Sequence, residues 1–180
     1  MSFYDYTLKD WQGNDFPLEQ LRGKVVLVVN TAQEWGFTSQ YGSIEKIYEK
    51  CRGKGFEVID IPCNQFGAQA PGTDEEIHSF RVNDFNTQYP QMQKSDVNGD
   101  NALPLYAFLK SQKGFQGLGE GEMADKLRSV LSKIDPDYEN NAEIKWNFTK
   151  FIIDRNGEVA ARFEPTINIG QVAKCITQLL

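Results

Sequence analysis

The sequence predicts an α/β fold in which a central mixed β-sheet is flanked by helices, and three observations predict it. The unbroken apolar run Val25-Val26-Leu27-Val28-Val29 reads as a strand buried on both faces. Across a turn and a stretch of helical periodicity it is followed by Phe56-Glu57-Val58-Ile59-Asp60-Ile61, a second strand. The two complete a βαβ unit with a right-handed crossover and parallel strands. Late in the chain, Asp154-Arg155-Asn156-Gly157 separates two apolar stretches at 144–153 and 158–163, the pattern of an antiparallel hairpin.

Each remaining element has its own signal. Tyr4, Tyr6 and Leu8 alternate with polar residues, and Gln12-Gly13-Asn14 offers a turn before Phe16, which predicts an N-terminal hairpin. After the strand at 25–29, Gly36 opens a helical pattern carried by positions 41, 44, 47, 48 and 51 and stopped by Gly53-Lys54-Gly55. The segment from Pro62 to Gly72 is rich in turn formers and leaves the carboxyl end of a strand, where open α/β sheets place their sites. It brings Gln69 beside residue 35. Thr73-Asp74-Glu75-Glu76 reads as a capping box that starts a second helix, fading near Asn83. A strand is predicted around residues 92–97, then a turn at Asn98-Gly99 and a helix from Pro104 to Lys110 with its proline in the first turn. Residues 114–144 read as a helical insertion: four glycines lead into Met123, Leu127, Val130, Leu131 and Ile134, an amphipathic stripe that packs on its own domain or forms a subunit contact. Ile169, Val172, Ala173, Ile176 and Leu180 give a closing helix capped by Asn168.

Composition narrows the function. A chain of 180 residues reads as one domain spanning 1–180, large enough for a core without covalent staples. No apolar stretch approaches the ~20 residues of a membrane helix, and neither a basic leader nor an apolar signal opens the sequence, so the expected location is cytoplasmic. A net charge of −6 argues against nucleic acid, whose affinity comes from lysine and arginine neutralising phosphates. Cys51, Cys63 and Cys175 are odd in number and unrelated in spacing, which fits a reducing compartment. His78 is the only histidine and sits in a charged stretch, so a histidine-based nucleophilic site or a zinc site is not expected and His78 reads as a solvated surface residue.

Chemistry is expected at position 35. A thiolate at this strand-to-helix turn would be stabilised by free N–H groups and the positive end of the following helix. The sequence has Trp35 there, an indole that only donates hydrogen bonds. Gly23-Lys24-Val25-Val26-Leu27-Val28-Val29-Asn30, Gly36-Phe37-Thr38, Pro62-Cys63-Asn64-Gln65-Phe66-Gly67 and Trp146-Asn147-Phe148-Thr149-Lys150-Phe151 resemble, in order and nearly end to end, the signature segments of the glutathione peroxidase family.

The resemblance implies a thioredoxin-like fold and reduction of hydrogen peroxide or organic hydroperoxides, with glutathione or thioredoxin as reducing co-substrate and no bound cofactor. It maps the peroxidatic cysteine or selenocysteine to Trp35 and the other three members of the family's catalytic tetrad to Gln69, Trp146 and Asn147. The resolving cysteine of thioredoxin-dependent members corresponds closely to Arg81, which the resemblance suggests as an arginine that holds a carboxylate of glutathione. Cys63 lies within a family motif without being its nucleophile, and its reading is structural. Three accounts of Trp35 remain: selenocysteine or cysteine in the natural gene, with UGA one base from UGG; a natural pseudoenzyme that senses redox state or binds a partner; and a different activity with Cys63 as nucleophile. The first is favoured, which makes the chain with Trp35 an inactive peroxidase.

Overall fold

A computed structural model describes residues 1–34 and 36–180; Trp35 lies outside the described residues. Two short strands, β1 (Thr7–Lys9) and β2 (Asp15–Pro17), form the predicted N-terminal hairpin, with Leu8 opposite Phe16. Tyr4 belongs to a short 3-10 turn before it. The main sheet has the order β4-β3-β5-β6, built from β3 (Val25–Thr31), β4 (Phe56–Pro62), β5 (Lys150–Ile153) and β6 (Val159–Phe163). β3 and β4 are parallel, as the βαβ reading requires, and β5 runs antiparallel to both β3 and β6.

Every residue of β3 is buried, so its apolar run serves two cores at once. Val25, Leu27 and Val29 face α1 (Gln40–Cys51) and the closing helix α5 (Ile169–Leu179); Val26 and Val28 face the layer holding α3 (Pro104–Gln112) and the N-terminal segment. At ~1.5–3 kcal/mol for each fully buried aliphatic side chain, this strand contributes on the order of 10 kcal/mol of apolar burial to the fold. Tyr41, Ile44, Tyr48 and Cys51 form the buried stripe of α1, which gives way to a 3-10 turn ended by Gly55 in the left-handed region, φ 90°.

Three predicted elements differ from the structure. The helix expected from Gly36 begins at Gln40: Gly36 has φ 81°, which no right-handed helix admits, and the Thr38 hydroxyl donates to the Glu34 carbonyl at 2.7 Å, closing a loop. The first N–H groups of α1 are therefore set several residues beyond position 35. The strand expected at 92–97 is extended chain with isolated bridges, because its N–H groups divide between partners: Met92 donates to Asp60, Gln93 to Lys9 and Ser95 to Pro62. The strand expected from residue 144 begins at Lys150, since Phe148 adopts φ 68° and turns the chain.

α2 (Asp74–Phe85) starts where the capping signal places it and runs two residues beyond Asn83. Thr73 Oγ1 accepts from the Glu76 N–H, while the Glu76 carboxylate takes the Thr73 hydroxyl instead of its N–H. The insertion forms α4 (Glu122–Ile134), which buries Ala124, Leu127 and Leu131 against Leu118 and Tyr138 and leaves Met123, Val130 and Ile134 exposed by 40%, 39% and 66%. A buried pair ties the insertion down. Arg162 Nε donates to Glu164 Oε2 at 2.9 Å and its other nitrogens to the carbonyls of Lys113, Ala142 and Glu143, while Glu164 accepts from the Gln116 N–H. None of the described helices is long and apolar enough to cross a membrane. Thr73→Ala removes the cap of α2 and should cost about 1 kcal/mol, read as a lower urea midpoint at unchanged slope.

Candidate active site

The site lies at the end of the sheet where β3 finishes. Asn30 is buried there, and its main-chain carbonyl accepts the Phe148 N–H. Its side-chain Nδ2 donates to the Trp146 carbonyl at 3.2 Å and to Asn147 Oδ1 at 3.3 Å. The Thr149 hydroxyl also donates to the Trp146 carbonyl, at 2.9 Å. The dipeptide Trp146-Asn147 is thus clamped to β3 through main chain and side chain together. Asn147 is only 1% exposed, and its Nδ2 has no hydrogen-bond partner. A buried amide donor left unpaired costs roughly 1–3 kcal/mol, and this group lacks an acceptor at the site itself.

Gln69 reaches the same region from the loop after β4. Its carbonyl accepts the Glu34 N–H at 2.9 Å, and its side-chain amide is 4.0 Å from where a Cβ on Gly36 would sit. Gln69 therefore bonds one chain neighbour of position 35 and shares a cavity wall with the other. The loop is shaped by Asn64, whose Oδ1 accepts from the Ala70 N–H at 2.9 Å, and by Gly67 with φ 64°. A Cβ on Gly67 would stand 3.4 Å from the Trp146 ring, which also packs on Phe66 with centroids 5.7 Å apart. A cavity of about 410 Å³ joins these parts: Gly36, Phe37, Gln69 and Trp146 on one side, Met123, Leu127 and Val130 of α4 on the other.

Of the residues singled out from the sequence, Gln69 and Trp146 share this cavity, Asn147 follows Trp146 in the chain and is held by Asn30, and Trp35 lies outside the described residues. Arg81 is not part of the group. Its guanidinium is buried, bonding Asp60 at 3.1 Å and the Tyr89 carbonyl, so the expectation that it holds a glutathione carboxylate is corrected: its charge is committed to a carboxylate of the chain itself. Asp60 in turn accepts the Thr31 hydroxyl at the end of β3. Arg81 lines a separate cavity of about 360 Å³ with Trp11 and His78. His78 is half-buried and stacked on Trp11 at 3.9 Å and 10°, not the solvated histidine expected; burial, then the Arg81 charge, lower its pKa.

Cys63 is fully buried, its thiol pushed up to about 11 by desolvation, and its Sγ donates to the Gln65 side chain at 3.6 Å. That environment opposes thiolate formation, and Cys63 is a structural residue. Sequence reasoning missed Asn30, whose signal was a polar residue ending an apolar run. Among the described residues no three His, Cys, Asp or Glu side chains gather in a metal-binding group.

A parallel β3–β4 pair joined to an antiparallel β5–β6 pair, with helices on both faces and a loop site at the end of β3, defines a thioredoxin-like fold. A thioredoxin-family thiol:disulfide interchange protein from Chlorobium tepidum shares it at TM-score 0.58 and 15% identity, over 97% of this chain and 92% of its own. Within that class the chain belongs to the glutathione peroxidase family, whose model matches residues 3–110. A probable phospholipid hydroperoxide glutathione peroxidase of Arabidopsis thaliana, a mitochondrial protein by its name, is 45% identical over 181 residues, spanning 99% of this chain and 68% of the relative. The crystal structure of GPX1 from T. cruzi matches with TM-score 0.70 and 30% identity, covering 99% of this chain and 96% of the other.

Breaking the Arg81–Asp60 pair leaves an uncompensated buried charge, so Arg81→Met should destabilise the fold by roughly 3–5 kcal/mol in chemical denaturation. The double variant with Asp60→Leu should recover part of that loss.

Proposed function

We propose that this scaffold reduces hydrogen peroxide or organic hydroperoxides with a thiol donor, glutathione or thioredoxin, through a cysteine or selenocysteine at position 35, and that the chain carrying Trp35 is inactive. Family membership supports the reaction class. The single observation that carries the site is the buried, unpartnered Nδ2 of Asn147, beside a Trp146 and a Gln69 that share one cavity with Gly36. Gln69, Trp146 and Asn147 offer two amides and an indole, neutral N–H donors suited to an anion and unable to quench it by proton transfer.

In the chemistry this supports, a thiolate or selenolate at position 35 attacks one oxygen of the hydroperoxide. The O–O bond breaks as the S–O or Se–O bond forms, and the departing oxide takes a proton to leave as water or an alcohol. A donor thiol then condenses with the resulting sulfenic or selenenic acid, releasing water and giving a mixed disulfide or selenenyl sulfide. A second thiol displaces it and returns the starting anion. Arg81 stands where a resolving cysteine would, and Cys63 is buried, so the regenerating thiols come from outside the chain on this reading. The three free cysteines support a reducing, cytoplasmic location.

Trp35→Cys should raise hydroperoxide turnover far above the parent chain, measured with hydrogen peroxide and cumene hydroperoxide against both thiol donors; a folded variant that stays at the parent rate contradicts the reading. In that background Asn147→Ala should lower kcat roughly 100-fold. The codon at position 35 separates the origins of the tryptophan: UGA with a selenocysteine insertion element supports recoding, UGG in the native gene a pseudoenzyme.

A further inference from the structure

Lys150 opens β5 and is completely buried, opposite Val29 of β3 and Phe163 of β6. Taking an ammonium out of water costs several kcal/mol unless its charge is met, and a methionine of similar length would fill the space without that cost. Where the amine goes is therefore informative. β5 runs antiparallel to β3, so its first residue lies towards the end of the sheet that carries Asn30 and the loop through position 35. From there Nζ turns back along its own chain and donates to the Phe148 carbonyl at 2.6 Å.

Phe148 is held from two sides. Its N–H is bonded to Asn30, its carbonyl to Lys150, and between these bonds it keeps φ 68°, which costs a bulky residue roughly 1–2 kcal/mol. The residues that this turn presents are the two immediately before it, Trp146 and Asn147. The groups around the amine leave it short of compensation: β3 and β6 face it with apolar Val29 and Phe163. The charge that acts on it is Glu164, whose carboxylate is already engaged by Arg162 and the Gln116 N–H.

We propose that Lys150 is a positioning residue for the site: its buried amine fixes the Phe148 turn that presents the Trp146 indole and the Asn147 amide, and places positive potential behind them. The proposal rests on the reading above that these donors receive an anion at position 35. Burial lowers the amine to about 7, against the opposing pull of Glu164, so the potential behind the donors is present below neutrality and fades above it. The neutral amine still donates to Phe148, so the turn persists while its charge is lost. The sign for folding is fixed: the folded pKa lies below the unfolded one, so stability from this group rises with pH from about 7 towards 10.5.

The test is two-dimensional NMR of the chain with Trp35, following the Trp146 indole N–H and the Asn147 side-chain amide as pH is raised. Both resonances should titrate with a midpoint near 7, while Trp11, stacked on His78, follows a separate midpoint. Lys150→Met should abolish the titration. Lys150→Arg, whose charge does not titrate in this range, should hold both signals flat and serves if the methionine variant fails to fold. An unchanged midpoint in either folded variant overturns the proposal. In the Trp35→Cys chain, Lys150→Met should move the pH midpoint of iodoacetamide alkylation upward, with about tenfold less thiolate at a fixed pH; an unmoved midpoint contradicts the electrostatic part. Lys150-dependent titration in a Trp35→Cys chain that lacks peroxide turnover would locate the failure in the proposed function, not in the positioning role.

Discussion

The structure depends most on the junction between Asn30 and the turn at Trp146–Thr149. One asparagine, at the end of a strand buried on both faces, uses its main-chain carbonyl for Phe148 and its side-chain amide for Trp146 and Asn147. Because β3 is buried along its whole length and pairs with both β4 and β5, its end is held rigidly from both sides. A donor pair fastened there inherits that rigidity. Gln69 is fastened separately, through the Glu34 N–H and the Asn64-braced loop. Preorganised donors of this kind need no reorganisation when charge develops, which is the physical basis of anion stabilisation in a site.

Buried ion pairs serve the surroundings of that junction. Arg81 and Asp60 join α2 to β4, and Asp60 reaches Thr31, the last residue of β3. Arg162 and Glu164 pin both ends of the insertion beside β6. This places the exposed apolar residues Met123 and Val130 of α4 on the wall of the cavity that Gln69 and Trp146 share. In each case the charges are paired and hydrogen-bonded, the condition under which burial is tolerable. Asn147 differs from these pairs in that its donor is buried and unpaired at the site itself.

Local chemistry was readable from the chain, and long-range partnership was not. The runs at 25–29 and 56–61, the Thr73 cap and the stripe of α1 were legible because apolar period and cap residues act within a few positions. The start of α1 was misplaced because Gly36 adopts positive φ inside a loop closed by Thr38. The chain at 92–97 failed to be a strand because its bonds go alternately to β4 and to the N-terminal hairpin. Phe148 turns the chain before β5 through partners that include Asn30 on a distant strand. Arg81 was read as a ligand contact because its carboxylate, Asp60, lies on another element. Motifs single out Gln69, Trp146 and Asn147, of which Gln69 and Trp146 line one cavity, while the bonds that Asn30 and Lys150 make to this segment required coordinates.

The most direct test of this account is a crystal structure of the reduced Trp35→Cys chain. The sulfur should lie within ~3.5–4 Å of Asn147 Nδ2, with the Gln69 amide and the Trp146 indole N–H also turned towards it. A sulfur directed away from all three, with Asn147 Nδ2 still unpaired in an otherwise unchanged fold, would contradict it.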